Sequence, residues 1–170
     1  MKIIKAKQEQ IENIIQIGIK SYKEHFSEIW TAKGIDEYLS LQFDFQKISN
    51  EMNSDNTKYF VSYFESRVVG IVKINLKKQI PNSSVERGIE LEKIYLLSQF
   101  AGKGFGTTML DFTIKYAKDN GENVIWLDVL KTNLKAIKFY ERYGFKIIDQ
   151  LDFATDKIKT DMWVMKCDLA

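Results

Sequence analysis

Several things are scarce in this 170-residue chain. It holds one cysteine, one histidine and one proline. With Cys167 alone, no internal disulfide can form, and at the end of an apolar final segment it reads as a small packed residue. His25 alone rules out a histidine cluster for zinc, and a single histidine at a helix end reads first as structural. Net charge is only +2, with no Lys/Arg run, so nothing points to nucleic acid as a partner. No apolar stretch is long enough to span a membrane. The basic opening Met1-Lys-Ile-Ile-Lys5 has too short an apolar part for a signal peptide, so a cytoplasmic location is expected. No repeat, low-complexity tract or shift in composition divides the chain, so a single domain over residues 1–170 is expected. Apolar residues at 45% and charged ones at 28% are the balance of a soluble globular core.

The most informative stretch is Gln99-Phe-Ala-Gly-Lys-Gly-Phe-Gly106. Glycines at Gly102, Gly104 and Gly106 follow the apolar run Ile94–Leu97 and precede a helical pattern from about Thr107 to Lys118. That order is strand, glycine loop, helix. Glycine tolerates positive φ and lets a ligand approach the backbone. The first helical turn offers amides with no internal partner, a site for an anion such as a pyrophosphate. The spacing fits neither a Walker loop nor a dinucleotide fingerprint, since Thr107 stands where the third glycine of the latter would be.

Periodicity organises the rest. Ile3 and Ile4 open a short strand. Ile11, Ile14, Ile15 and Tyr22 mark an amphipathic helix from Gln8 to about Lys23. A second helical region begins at Gly34, with stripes Ile35, Tyr38, Leu39, Phe43 and then Phe45, Ile48, Met52. Tyr59–Phe64 and Val68–Leu76 form a hairpin about Glu65–Arg67. Lys77–Gly88, holding Pro81, reads as an exposed loop, and Glu90–Leu97 as the central strand. Val124–Leu130 is nearly continuous apolar, as for a strand covered on both faces. Thr132 or Asn133 caps a helix to Tyr143, ended by Gly144. Strands are expected over Phe145–Ile148 and Asp161–Asp168, with a polar loop from Asp152 to Thr160. The order is β, two or three helices, βββ, α, β, α, ββ, an α/β (α+β) chain with a mixed sheet and helices on its faces.

A second segment, Asn133-Leu-Lys-Ala-Ile-Lys-Phe-Tyr-Glu-Arg-Tyr-Gly-Phe145, stands about thirty residues after the glycine loop with a strand between. The two together resemble the Q-x-x-G-x-G and N-x-x-A-x-x-[FL]-Y-x-x-x-G-F segments of the GNAT N-acetyltransferases. The resemblance covers nearly the whole chain. It implies the GNAT fold, a mixed, mostly antiparallel sheet splayed between the central strand and the parallel strand that follows. It also implies acetyl-CoA as cosubstrate, with no metal. Backbone groups of Ile94 and Leu96 would pair with the pantetheine arm like an added strand. The coenzyme site would comprise Ile94, Tyr95, Leu96, Gln99, Phe100, Ala101, Gly102, Lys103, Gly104, Phe105, Gly106 and Thr107, with Asn133 and Tyr140. Ala101 departs from the arginine common in the family, which removes one phosphate contact and leaves more to the backbone.

The same resemblance assigns Tyr140 as general acid toward the coenzyme sulfur, since a phenol is protonated at neutral pH. It places Asn133 beside the pantetheine. The Ile94 amide is the expected oxyanion donor. Glu92 is the candidate base: simple alternation puts Glu90, Glu92 and Ile94 on one face, and a carboxylate on a mostly apolar strand needs a reason. Glu90, a water chain, or a purely structural ion pair of Glu92 with Lys73 or Lys93 stand as alternatives. For the acceptor, Glu24, Glu28, Asp36 and Glu37 with Trp30 and Tyr38 suit a cationic amine. The length, the Leu91-Glu-Lys-Ile-Tyr95 strand and the Ile125-Trp-Leu127 strand are also similar to those of PaiA-type spermidine/spermine acetyltransferases, which implies a small polyamine acceptor. Protein N-termini or lysines, and a non-catalytic acetyl-CoA-binding module, are the other readings. A homodimer is left open.

Overall fold

The computed structural model describes residues 1–83 and 86–169, so Ser84, part of the expected loop, lies outside the described residues. In chain order the elements are β1 (Lys2–Lys5), α1 (Ile11–Phe26), α2 (Ala32–Gln42), α3 (Phe45–Met52), β2 (Thr57–Phe64), β3 (Arg67–Gln79), β4 (Arg87–Leu96), α4 (Phe105–Asp119), β5 (Val124–Leu130), α5 (Leu134–Glu141), β6 (Lys146–Ala154) and β7 (Lys159–Asp168). The strands form one sheet in the order β1-β2-β3-β4-β5-β7-β6. Every pairing is antiparallel except β4–β5.

Alternation along the strands sends side chains to two helical layers. Ile71 and Val61 face one way and pack with Ile11, Ile14, Leu39 and Ile48 of α1–α3. Val72, Ile74, Leu127 and Ile125 face the other way, against Met109, Leu110 and Ile137 of α4 and α5. The helices begin where capping chemistry allows. The Thr31 hydroxyl accepts the Gly34 N–H at 3.1 Å, Asp44 accepts that of Lys47 at 2.7 Å, and Asn133 that of Ala136 at 3.2 Å.

Two expected loops are shorter than periodicity implies. β3 runs on to Gln79 and β4 starts at Arg87, with Lys78 opposite Gly88 and Gln79 opposite Arg87. Likewise β6 extends to Ala154 and β7 starts at Lys159, through the pairs Asp152–Asp161, Phe153–Thr160 and Ala154–Lys159. Both extensions are wet hairpin ends. Backbone pairing holds them; Lys77-Lys-Gln79 carries no apolar alternation to announce it, whereas Leu151 and Phe153 alternate with polar neighbours along β6.

Candidate active site

The site follows from one failure of pairing. β4 and β5 share only the pairs Ile89–Ile125 and Glu90–Trp126. Past that point β4 stays with β3 as far as Leu96, and β5 stays with β7 as far as Leu130. Each strand keeps its outer neighbour, so a wedge opens between them. A local cause is visible in β4: Lys73 faces Lys93 but Ile74 faces Leu91, which leaves Glu92 as the extra residue of a β-bulge. A bulge bends its strand and increases the twist.

The bulge also corrects the expected facing. Glu92 stays on the α1–α3 side with Glu90, where the Asn75 amide donates to Glu90 at 2.6 Å and to Glu92 at 2.7 Å. Ile94 is turned to the opposite face, against the α4 cluster. Three residues predicted to share a face are therefore divided, because alternation fails wherever an extra residue enters the strand.

Backbone parity decides what lines the wedge. Leu97 N–H donates to the Val69 carbonyl at 3.0 Å, so the opposed pair Gly70–Leu96 is a non-hydrogen-bonded one. The N–H and C=O of Leu96, and of Ile94 two residues back, then point away from β3 into the wedge. Tyr95 has the opposite parity. Its backbone serves β3, and its ring lies 6.0 Å from that of Tyr22 and 6.4 Å from that of Phe43 in the α1–α2 layer. Tyr95, expected among the coenzyme residues, thus belongs to the other side of the sheet.

Beyond Leu96 a short helical turn, Ser98–Phe100 with Gln99 at its centre, leads into the glycine loop. Gly102 has φ +74° and Gly104 φ +82°, values that penalise any side chain. A Cβ at Gly102, Gly104 or Gly106 would meet nothing within 4 Å, so the loop backbone is open to a ligand. Phe100 and Phe105 pin the loop from beneath by packing on Phe64, with centroids at 6.0 and 5.0 Å. Thr108 N–H to the Gly104 carbonyl at 3.0 Å is the first bond into α4, and the amides from Gly102 to Thr107 reach no protein acceptor among the described residues. Lys103 sits over the Phe100 ring, 5.8 Å from its centroid, beside these amides. This is a glycine nest at a helix N-terminus, an arrangement of free amides with the chemistry to hold an anion. Ala101 adds no charge to it.

Across the wedge, Tyr140 is 8% exposed and packs on Phe139 and Phe145. Its hydroxyl has no protein partner among the described residues. Burial, and after it the Asp128 carboxylate, raise that hydroxyl above the ordinary phenol range, so it is a donor throughout the physiological range. Asn133 spends its side-chain oxygen on capping α5.

Glu92 is held by cations. Lys73 Nζ lies 2.8 Å from its carboxylate and 3.0 Å from that of Glu51, and Lys93 Nζ also contacts it. Both lysines are almost fully buried, at 4% and 6% exposure. Burial alone would raise the Glu92 carboxyl, but the Lys93 and Lys73 ammonium groups outweigh it and bring it down to about 2. The structural ion pair considered for Glu92 is thus what the geometry contains. Glu90 is shifted the other way, raised by burial against the hydrogen bond from Asn75.

Asp128 escapes sequence reasoning. It lies two residues past Trp126 and so on the face of Glu90 and Glu92, where it would sit opposite Glu92 had the ladder continued. Asp128 is the one solvent-exposed residue of β5, yet the protein around its carboxyl still desolvates it. That desolvation, followed by the charges of Glu90 and Glu92, raises its carboxyl to about 6. The available signal was a single carboxylate inside an otherwise apolar strand, Val124–Leu130, the same argument that singled out Glu92.

Aromatic rings wall the α1–α2 side. Trp30 stacks on Tyr38 at 4.7 Å, Tyr22 lies 5.1 Å from Tyr38, and the Trp30 indole N–H donates to the Tyr22 hydroxyl at 3.1 Å. The tip of the β6–β7 hairpin clasps this wall. Thr155 Oγ1 donates to the Ile29 carbonyl at 2.5 Å, Lys157 Nζ to that of Glu28 at 2.8 Å, and Thr31 N–H to Asp156 at 3.1 Å. Gly34 gives the Asp156 carboxylate room there, since a Cβ would press on that side chain and displace it. Of the acids expected around an amine, Asp36 is paired with Lys23 at 2.6 Å and Glu37 with Lys33 at 3.5 Å, both in solvent. Glu24 accepts the Ser98 N–H at 2.8 Å.

A sheet split beside an anion-binding helix N-terminus, with a protonated phenol and a carboxylate on its walls, is the fold and site of an N-acetyltransferase. Residues 19–145 match the Acetyltransferase (GNAT) family, and the chain belongs to that family. It is similar to a spermidine N(1)-acetyltransferase of Thermoplasma acidophilum, 24% identical over 92% of this chain and 96% of that one. A spermine/spermidine N(1)-acetyltransferase of Bacillus subtilis is 27% identical over 56% of this chain and 64% of its own length. Among solved structures, the PaiA N-acetyltransferase of Thermoplasma acidophilum in complex with coenzyme A superposes with a TM-score of 0.80 at 22% identity, covering 98% of each chain.

Proposed function

We propose that this enzyme transfers the acetyl group of acetyl-CoA to a primary amine of a small polyamine such as spermidine or spermine. The observation that carries the reading is the wedge. It joins an open nest of amides at Gly102–Thr107 to the outward-facing backbone of Leu96 and Ile94, and ends between Asp128 and Tyr140. The pyrophosphate fits the nest and the pantetheine arm fits the strand edge that β5 leaves open. The relatives named for spermidine and spermine support the acceptor class.

The chain's own groups divide the work. The outward-pointing Ile94 N–H meets the charge developing on the acyl oxygen. Asp128, with a carboxyl near 6, is mostly ionised at neutral pH and still basic enough to take a proton from the attacking amine. Glu92 at about 2 is a poor base, and we assign it to holding the bulge and adding negative field to the acceptor side. Tyr140 donates its proton to the leaving sulfur. Trp30, Tyr38 and Tyr22 give a cationic chain an aromatic surface. An exposed surface patch near Met1 and Tyr63 encloses about 700 Å³, but none of these groups line it.

The test is an acceptor panel with acetyl-CoA, read by mass spectrometry. Monoacetylated spermidine or spermine as the fastest product supports the reading. A peptide N-terminus or lysine acetylated faster would move the assignment to proteins, and no acetyl transfer to any amine would overturn it.

A further inference from the structure

His25 and Ser21 have no part in the chemistry above, yet both bond to one atom of the coenzyme strand. Ser21 Oγ–H donates to the Leu96 carbonyl at 3.0 Å, and His25 Nε2 lies 3.0 Å from the same oxygen. The carbonyl can only accept, so this contact requires a proton on Nε2. One turn along the same face, Glu24 accepts the Ser98 N–H at 2.8 Å. Positions i, i+3 and i+4 of α1 therefore grip two residues, Leu96 and Ser98, where β4 ends and the glycine loop begins.

The parity argument gives this grip a consequence. The Leu96 carbonyl points into the wedge, where an added ligand strand would use it as an acceptor. Its two lone pairs are already taken by Ser21 and His25. Only the Leu96 N–H remains for the arm, and the angle at which that N–H is offered depends on the two α1 side chains. We infer that His25 and Ser21 are positioning residues for the coenzyme: they fix the Leu96–Leu97 peptide at the end of β4, and through it the set of the adjoining Leu96 N–H and of the loop that follows toward acetyl-CoA. The inference rests on the acetyl-CoA reading given above. It also separates His25 from the acceptor wall, although Tyr22 of that wall is its neighbour on α1.

The test measures coenzyme A affinity by calorimetry, and the separate KM values for acetyl-CoA and spermidine, in His25→Ala, His25→Asn, His25→Gln and Ser21→Ala. The amide nitrogen of glutamine reaches about as far as Nε2, whereas that of asparagine reaches only to Nδ1. Loss of one of these hydrogen bonds should weaken coenzyme A binding roughly three- to tenfold in His25→Ala, His25→Asn and Ser21→Ala. His25→Gln should restore most of it. KM for spermidine should stay within about twofold of wild type, a split that general loosening of the fold would not give. His25 is exposed and Ser21→Ala removes only one hydroxyl from a buried position, so the variants should fold, and thermal unfolding checks this. Unchanged coenzyme affinity in all four, a glutamine variant no better than the asparagine one, or a parallel rise in both KM values would overturn the inference. A wild-type protein that binds no coenzyme A would overturn the acetyl-CoA reading, and this inference with it.

Discussion

The two sides of the wedge are built by different means. The proposed coenzyme side is made of backbone: amides from Gly102 to Thr107, the strand edge at Ile94 and Leu96, and a helix cap at Asn133. Its parts lie in two short contiguous stretches. The acceptor side is made of side chains from α1, α2, β4, β5 and the β6–β7 tip, brought together only by the fold. A backbone site fixes where a common ligand sits. A side-chain site can change one residue at a time, and here it concentrates carboxylates whose proton affinities are driven apart, Glu92 to about 2 and Asp128 to about 6. Divergent neighbours of this kind mark a division between holding charge and moving protons.

The largest effect should come from the proton-moving residue. Asp128→Asn should lower kcat by about a hundred- to ten-thousand-fold, the range of general base catalysis, with coenzyme A affinity little changed by calorimetry. Its stability should move the other way. The folded carboxyl is raised, so its ionisation costs stability as pH climbs from its ordinary value of 3.8 to about 6. Asp128→Asn removes that cost, and its melting temperature should equal wild type in acid and exceed it at neutral pH. A lower melting temperature at neutral pH would show that the carboxylate is stabilised by contacts.

Next, Tyr140→Phe should lower kcat about ten- to a thousand-fold with little change in coenzyme affinity, since only a hydroxyl is lost. An unchanged kcat with chemistry rate-limiting would mean that water protonates the thiolate. On the backbone side, Gly104→Val places a β-branched residue at φ +82°, where the strain costs roughly 1–2 kcal/mol. It also puts a branched side chain where the phosphates approach. Coenzyme A affinity should fall about tenfold or more, beyond what the loss of folding explains. Equal affinity in a folded variant would remove the loop from the coenzyme site.

The smallest effect on rate should come from Glu92→Gln, which is chiefly a stability change. It leaves Lys93 buried without its carboxylate and Lys73 with Glu51 alone, which should cost roughly 2–4 kcal/mol in denaturant unfolding. A carboxyl lowered in the folded state stabilises above its ordinary value and loses that contribution as pH falls from 4.5 towards about 2. The deficit of Glu92→Gln should therefore shrink across that acid window. A deficit independent of pH would mean that packing, and not the ion pair, is what was lost.

The same contrast explains what the sequence could reveal. Gly102, Gly104, Asn133 and Tyr140 stand out in the sequence because the roles proposed for them need particular residues at fixed spacing within two short segments on either side of β5. The order of elements is legible because Ile11, Ile14 and Leu39 keep helical spacing and Val124–Leu130 keeps a strand's apolar run. Glu92 misleads because the bulge is a backbone event: nothing in Leu91-Glu-Lys-Ile94 announces an extra residue, so alternation sends Ile94 to the wrong face. Tyr95 misleads for a related reason, since strand parity depends on the partner β3. Asp128 stays hidden because its value lies in facing Glu90 and Glu92 across a parallel pair of strands. The clasp of Asp156 on Thr31 joins residues 125 positions apart and has no local signal at all.

The most direct test of this division is the pH dependence of kcat for spermidine in wild type, Asp128→Asn and Glu92→Gln. Wild type should lose activity as pH falls through about 6, as the Asp128 carboxylate takes up its proton. Glu92→Gln should keep that acid limb, and the residual activity of Asp128→Asn should lack it. An acid limb that survives in Asp128→Asn and disappears in Glu92→Gln would contradict the account and return the proton to Glu92.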